Sequence, residues 1–256
     1  PRESVPRIEL EDLAPPPAPS RHLVICMQIG SSGVVTLEGS YVRGHMKSIP
    51  GLRELLADLQ PRDRVALVSF DSRFKLWQDF TTDHARVAEA LFDAVGFGEP
   101  PPLEPPVAGE PSIARWLSEA QMREAASAAR AAQLLAAAMD RVDGVKDVVW
   151  IGWGFGKRTS AAIASMQRSD TVVSVLDVTQ ADSHLLGASL ETLAEATGGT
   201  YADLFRWPSR SLKRLRRQLT GYFILTLDLP AEPVRGRLRV EVEGREGRVL
   251  MKPYTW

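Results

Sequence analysis

The sequence predicts an α/β domain with a central, mainly parallel sheet of about six strands, covered by helices on both faces. A predominantly apolar run from His22 to Ile29 ends in Gly30-Ser31-Ser32-Gly33, which is typical of a strand buried on both faces. Strand-like and helix-like segments then alternate along the chain, a pattern that favours parallel strands joined by right-handed crossovers. A chain of 256 residues is also long enough to bury a full core.

Composition excludes several classes of function. The chain has 31 basic and 32 acidic residues, so no overall charge attracts nucleic acid or an anionic membrane. The single cysteine, Cys26, lies in the apolar strand, which leaves no disulfide framework and no cysteine metal site. No apolar run approaches the roughly 20 residues of a membrane span, so we expect no membrane insertion. The chain begins at Pro1 rather than Met, which is compatible with removal of an upstream signal or domain, and the remaining sequence does not indicate the compartment.

The pattern divides the chain into three parts. Residues 1–20 form an N-terminal extension with a stiff proline-rich linker. Residues 21–221 form the main domain, and residues 222–256 form a C-terminal antiparallel β extension of three alternating strands. The strands predicted in the main domain are His22–Ile29, Arg64–Phe70, Phe74–Phe80, Val145–Trp153, Thr171–Asp177 and Thr200–Ala202.

The predicted helices follow these strands. Pro50 is expected to divide the segment between residues 41 and 59 into two helical pieces, since proline has no N–H to donate. The alternation of Phe74–Phe80 indicates a half-exposed, antiparallel edge strand. The other predicted helices begin after Thr82-Asp83, run from about Ser112 or Leu117 to Arg141, and span Thr159–Arg168, Leu185–Thr197 and Ser209–Leu219.

Four phrases, in this order along the chain, resemble the von Willebrand factor A family, in particular a bacterial type found in exported proteins and described in acidobacteria. They are Asp63-Arg-Val-Ala-Leu-Val-Ser-Phe-Asp-Ser-Arg73, Gln78-Asp-Phe-Thr-Thr-Asp83, Leu193-Ala-Glu-Ala-Thr-Gly-Gly-Thr-Tyr201 and Leu215-Arg-Arg-Gln-Leu-Thr-Gly-Tyr222. The resemblance implies a Rossmann-like fold and a protein partner. It also favours an exported, extracytoplasmic location.

The family binds its partners through a metal-ion-dependent adhesion site. The resemblance implies Asp-x-Ser-x-Ser after the first strand, a threonine from a middle loop and an aspartate after the fourth strand. In this chain Gln28 stands at the first Asp position, Gly30 at the first Ser position, and only Ser32 keeps its hydroxyl. Ser112 is the best candidate for the threonine, and Trp153 stands at the second carboxylate position.

These departures predict a degenerate site without a metal. Mg²⁺ needs charged oxygen ligands to offset its dehydration, and a neutral amide and an indole do not supply that charge. We therefore expect no cofactor and no catalysis, and a protein partner bound at the loop edge. The candidate partner-binding residues are Gln28, Ser31, Ser32, Trp153, Phe155, Lys157 and Arg158.

Each candidate has a structural alternative. Trp153 and Phe155 either anchor a partner as exposed aromatic residues or fold inward and fill the former metal pocket. Gln28 and the two serines either bind a partner or satisfy loop amides. Asp71 and Asp177, at strand ends, either serve a displaced cation or form ordinary turns.

Other functional classes also stay open. The domain could act as a structural scaffold of a larger assembly, through Phe74–Phe80 or the C-terminal extension. An enzyme is less favoured, because the sequence shows no nucleophile elbow and no paired acid and base. The basic helix from Arg210 to Arg217 could contact nucleic acid or an acidic membrane, but its leucines indicate an ordinary sheet-covering helix with a solvated face.

Overall fold

The structure is a computed structural model that describes residues 21–30, 38–96, 98–155, 159–179, 187–219 and 240. Its centre is a six-stranded sheet. Five strands are parallel, and Phe74–Thr81 pairs with Arg64–Phe70 in the antiparallel sense, as the sequence predicts. The predicted extensions at 1–20 and 222–256 lie outside the described residues.

The strands are β1 (Arg21–Gln28), β2 (Arg64–Phe70), β3 (Phe74–Thr81), β4 (Val145–Gly152), β5 (Val172–Asp177) and β6 (Tyr201–Asp203). They lie in the sheet in the order β3-β2-β1-β4-β5-β6. The helices are α1 (Glu38–Asp58), α2 (His84–Val95), α3 (Glu119–Arg123), α4 (Ala128–Met139), α5 (Thr159–Arg168), α6 (Gly187–Thr197) and α7 (Pro208–Leu219). A short 3₁₀ turn at Ala114–Trp116 precedes α3.

Strand β1 separates two cores, because successive side chains of a strand point to opposite faces. Leu23, Ile25 and Met27 pack with α1, α2 and α7. Val24 and Cys26 point to the other core, with α4, α5 and α6. Helices cover both faces, and Cys26 is a fully buried core residue whose thiol pKa burial raises.

Two helix predictions were wrong. Helix α1 runs without a break through Pro50. The carbonyl that loses its helical donor there belongs to Met46, which is exposed, so water can hydrate it. The expected long helix up to Arg141 is interrupted, because Ser118 and Ser127 each cap a new helix with their side chains, and such caps favour a local helix start.

The parallel strands place their carboxyl ends along one side of the sheet, which we call the carboxyl edge. Gln28 lies beside Phe70, and Gly152 beside Asp177, which in turn pairs with Asp203. Open α/β sheets bind ligands at this edge. The side chains that follow these strand ends therefore define the candidate site.

Candidate functional site at the carboxyl edge

Gln28 ends β1 with a buried side chain that is used inside the fold. Its Oε1 accepts hydrogen bonds from the Trp150 indole Nε1 and from the backbone N–H groups of Trp153 and Gly154, each at 3.2 Å. Its Nε2 donates to the Gly154 carbonyl at 2.7 Å. Of the two roles expected for Gln28, the structure shows the second: the amide satisfies loop groups and ties β1 to the loop after β4.

Gly152 makes room for this arrangement. A Cβ atom built on Gly152 would overlap Gln28 Oε1, and it would lie 2.7 Å from Gln28 Cβ and 3.0 Å from Trp150 Nε1. Real Cβ atoms essentially never approach other heavy atoms within 3.0 Å. The glycine at the end of β4 is thus required by the packing of the Gln28 amide.

The two aromatic residues after β4 fold inward, so of the two alternatives expected from the sequence the structure shows the second, and neither ring is an exposed partner anchor. Trp153 is 5% exposed and Phe155 is 6% exposed. The Trp153 ring meets the His45 ring edge-on at 6.3 Å, whereas Phe155 contacts Trp150 at 4.7 Å. Apolar rings find more contacts in the two cores than at the surface, so these side chains are part of the interior.

Helix α1 supports the Trp153 loop through His45, a contribution that sequence reasoning missed. His45 is fully buried, and its Nε2 lies 3.2 Å from the Ile151 carbonyl oxygen. The sequence showed only four scattered histidines without ligand spacing. The contact joins residues 106 positions apart, and no local pattern signals it.

Gly30, at the position where the family has a serine, lies against the start of the β2–β3 turn. A Cβ on Gly30 would come within 2.6 Å of the Asp71 carbonyl oxygen. The backbone N–H groups of Ile29 and Gly30 both donate to the Phe70 carbonyl, at 2.7 and 3.2 Å. The chain therefore leaves β1 too close to β2 to carry a side chain here.

The Asp71 carboxylate is committed to its own turn. It forms an ion pair with Lys75 at 2.7 Å and accepts hydrogen bonds from the backbone N–H groups of Ser72 and Arg73. Burial alone would raise the pKa of Asp71, but the Lys75 and backbone hydrogen bonds outweigh it and hold the pKa below its ordinary value. This geometry agrees with a turn role for Asp71.

Asp177, at the end of β5, is also surrounded by internal donors. Its Oδ1 accepts from the Thr179 backbone N–H at 2.9 Å and from the Thr179 hydroxyl at 2.8 Å. Its Oδ2 accepts from the Tyr201 hydroxyl at 2.7 Å. Burial, together with this carboxylate, raises the pKa of Tyr201. Tyr201 could not be recognised from the sequence, where its only signal was its place on a short edge strand.

Ser112, the candidate for the metal-binding threonine, does not lie at the carboxyl edge. Its hydroxyl donates to Asp79 Oδ2 at 2.6 Å and accepts from the Arg115 N–H at 3.0 Å. Asp79 sits near the end of β3 that pairs with the beginning of β2, because β3 is antiparallel. Ser112 therefore lies just before the 3₁₀ turn at the opposite end of the sheet, where it joins Asp79 to the Arg115 backbone.

The remaining candidates, Ser31, Ser32, Lys157 and Arg158, lie outside the described residues. Within the described ranges, no group of three or more His, Cys, Asp and Glu side chains could hold a metal ion. Among the same residues, no helix is both long and apolar enough to cross a membrane.

A buried histidine, His22, lies near the beginning of β1, at the end of the sheet opposite the carboxyl edge. Among the residues that the structure describes, the Nδ1 atom of His22 has no hydrogen-bond partner, and its ring packs edge-on against Phe80 at 5.2 Å. Burial is the main cause that lowers the pKa of His22, and the charges of Arg64 and Lys146 lower it further. The acids Asp63 and Asp143 oppose this shift without reversing it.

No protein-family model matches the sequence, and no curated protein matches it either. Solved structures do match the fold. BatB, a conserved hypothetical protein of Bacteroides thetaiotaomicron, has a TM-score of 0.50 at 14% identity, with 78% of this chain and 98% of that chain covered. A von Willebrand factor type A structure from Catenulispora acidiphila has a TM-score of 0.51 at 12% identity, with 79% of this chain and 42% of that chain covered. The chain therefore has the Rossmann-like fold of a von Willebrand factor A domain.

Proposed function

We propose that this domain is a non-catalytic protein interaction or assembly module whose carboxyl edge works without a divalent metal. One observation carries the proposal: the neutral Gln28 amide at the end of β1 forms hydrogen bonds with Trp150, Trp153 and Gly154 inside the fold. A divalent cation needs anionic or hydroxyl oxygens that converge on it. An amide oxygen that already accepts three hydrogen bonds offers little to such an ion.

The neighbouring carboxylates support the same proposal. Asp71 is paired with Lys75, and Asp177 accepts from Thr179 and Tyr201. Recruiting either carboxylate to a displaced cation would compete with these contacts, and at Asp177 it would take the acceptor from the buried Thr179 groups, which costs about 1–3 kcal/mol for each group left without a partner. The fold supports the proposed interaction function, because von Willebrand factor A domains are adhesion-type interaction modules.

Calorimetric titration tests the metal part. Protein stripped with EDTA is titrated with Mg²⁺, Mn²⁺ and Ca²⁺, and the melting temperature is measured with each ion. We expect no stoichiometric heat and no shift in melting temperature. If the wild-type protein binds one equivalent of any of these ions, and Ser32→Ala abolishes that binding, a metal site exists and the metal-independent mechanism is wrong.

Partner capture tests the interaction part. Tagged protein is cross-linked in extracts of its own cells, once with EDTA and once with Mg²⁺, and the captured protein is then purified and titrated against the domain. We expect the same partner and the same affinity under both conditions. If no discrete partner binds, the structural scaffold alternative replaces the proposal. If binding requires Mg²⁺, metal-dependent adhesion replaces it.

The exported location that the sequence resemblance favours is also a proposal. Its support is the likeness of the four sequence phrases to a bacterial family type found in exported proteins. Fractionation of cells that produce the full-length protein tests it. We expect the protein outside the cytoplasm, and its recovery with cytoplasmic enzymes would contradict the proposal.

A further inference from the structure

Helix α7 is divided sharply into a buried and a charged side. Ser211, Leu212, Leu215 and Leu219 are buried. Its sequence, Pro-Ser-Arg-Ser-Leu-Lys-Arg-Leu-Arg-Arg-Gln-Leu, contains five basic residues and no acidic residue. At about 100° per residue, the exposed cations Arg210, Lys213, Arg214 and Arg217 fall within an arc of about 120° together with Trp207. We call these five residues the α7 face.

The charges of this face are only partly compensated inside the molecule. Arg216, on the flank of the helix, pairs with Glu54 and Asp58 of α1. In contrast, Arg210, Lys213 and Arg214 form no ion pair with the part of the chain that the structure describes. Like charges three or four residues apart destabilise a helix by about 0.2–0.5 kcal/mol for each pair. An acidic partner would remove this repulsion.

The aromatic residue Trp207 lies at the N-terminal end of the α7 face. Trp207 is 63% exposed, and its carbonyl accepts from the Ser211 N–H at 2.9 Å, so it begins the helix. The preceding ring, Phe205, lies 3.7 Å from Lys47 Nζ. Because β6 ends at the carboxyl edge, Trp207 lies beside that edge, and exposed tryptophan and arginine residues are the types that contribute most to interface energies.

The surroundings of the face favour a narrow acidic partner. Glu54 and Asp58 lie along one side of α7, and Asp203 lies near Arg206 at its beginning. These acids and their arginine partners border the cationic strip, so a narrow acidic segment fits it better than a broad anionic surface such as a lipid bilayer or a nucleic acid duplex, and the chain has a net charge of −1. The cations from Arg210 to Arg217 span about 10 Å, which is about three residues of an extended chain.

We propose that the α7 face binds an acidic segment of a protein partner that carries an apolar side chain for Trp207. This inference rests on the proposed interaction function and assigns it a surface. Cation–carboxylate contacts provide orientation and fast association, and burial of the exposed indole provides affinity. The contact begins beside the carboxyl edge at Trp207 and follows α7 from there, separate from the Gln28 amide.

Fluorescence polarisation with a defined peptide tests the proposal. The probe is the labelled peptide Gly-Asp-Glu-Leu-Glu-Asp-Phe-Glu-Gly, and its Asn and Gln counterpart is the uncharged control. We expect saturable binding of the acidic peptide only, with an affinity that falls as salt increases. The double variant Arg210→Glu/Arg214→Glu should weaken binding about tenfold or more, and Trp207→Ser should weaken it as well.

A matched charge reversal controls for the change in net charge. Arg130→Glu/Arg168→Glu alters two exposed arginines on α4 and α5, which pack on the opposite core, and it should leave the affinity within about twofold. Equal weakening by both double variants, or no binding of the peptide, would overturn the proposal. Tighter binding to phosphatidylserine vesicles or to a DNA duplex, lost in Arg210→Glu/Arg214→Glu, would assign the face to another polyanion and overturn it too.

The captured partner distinguishes this inference from the proposed function. If the partner still binds Arg210→Glu/Arg214→Glu as tightly as wild type, the interaction function stands and the α7 face is the wrong surface. If no partner binds any form of the domain, the proposed function itself fails. Circular dichroism of each variant confirms that the exposed substitutions leave the fold intact.

Discussion

Replacing Gln28 with methionine tests whether its amide holds the carboxyl edge together. Methionine keeps the length and nearly the volume of glutamine but offers no acceptor to Trp150 Nε1 or to the N–H groups of Trp153 and Gly154, and no donor to the Gly154 carbonyl. Each buried polar group that loses its partner costs about 1–3 kcal/mol. Because three of the four bonds share one oxygen at 3.2 Å, we expect the lower end of that range for each.

The expected total is a loss of about 3–5 kcal/mol in the free energy of unfolding. This is a large part of the roughly 5–15 kcal/mol that stabilises a typical domain. At about 2–4 °C for each kcal/mol in a domain of this size, the melting temperature should fall by about 10 °C. Urea denaturation followed by circular dichroism measures the loss, and hydrogen exchange should quicken at the Trp153 and Gly154 amides.

The matched control is Gln133→Met on α4. Gln133 is partly exposed, and its side chain accepts one long hydrogen bond, from Arg130 at 3.4 Å, so the change should stay within about 0.5 kcal/mol. A loss below about 1 kcal/mol in Gln28→Met, with unchanged exchange at the loop amides, would refute the reasoning. The Gln28 amide would then contribute little to the stability of the fold, and its position would be available for a ligand.

Three further outcomes are expected. Trp153→Ala should destabilise the domain by about 3–5 kcal/mol, whereas the exposed Phe92→Ala should cost far less; a small loss in Trp153→Ala, measured by urea denaturation, would restore the surface-anchor hypothesis. Gly152→Ala should cost about 1–3 kcal/mol through overpacking, against a near-neutral Gly96→Ala, whose Cβ would meet its nearest atom at 3.6 Å; equal melting temperatures would contradict the close approach to Gln28. Burial lowers the pKa of His22 in the folded protein, so just below pH 6.5 the His22 imidazole is protonated mainly in the unfolded state. The free energy of unfolding should therefore fall as the pH drops from about 6.5. His22→Gln should reduce this pH dependence of stability, and an unchanged dependence would exclude His22 as its source.

Much of the architecture follows from local patterns in the sequence. The uninterrupted apolar run of β1 required burial on both faces, and the structure places Leu23 and Val24 in opposite cores. The alternation of Phe74–Phe80 predicted an antiparallel edge strand, and β3 is one. The strand is more buried than expected, because Ile113 and Leu117 pack in the same core cluster as Phe74.

The candidate site was less predictable. The sequence identified Gln28, Gly30 and Trp153 as departures from a metal-binding pattern, because residue chemistry alone distinguishes an amide or an indole from a carboxylate. It left open whether Trp153 pointed outward or inward. That choice depended on a space beside His45, and the residues that form it are more than 100 positions apart along the chain.

The sequence by itself therefore determined the strand and helix periodicities, the parallel sheet, and the types of side chain at the carboxyl edge, because each of these depends on residues that are close together in the chain. Only the tertiary structure decided how those groups are used. It brought the Gln28 amide to the Gly154 backbone, turned Trp153 and Phe155 into core residues, and placed Ser112 at the far edge beside Asp79. Hydrogen bonds and packing between distant segments depend on register and crossover geometry, which local periodicity does not specify.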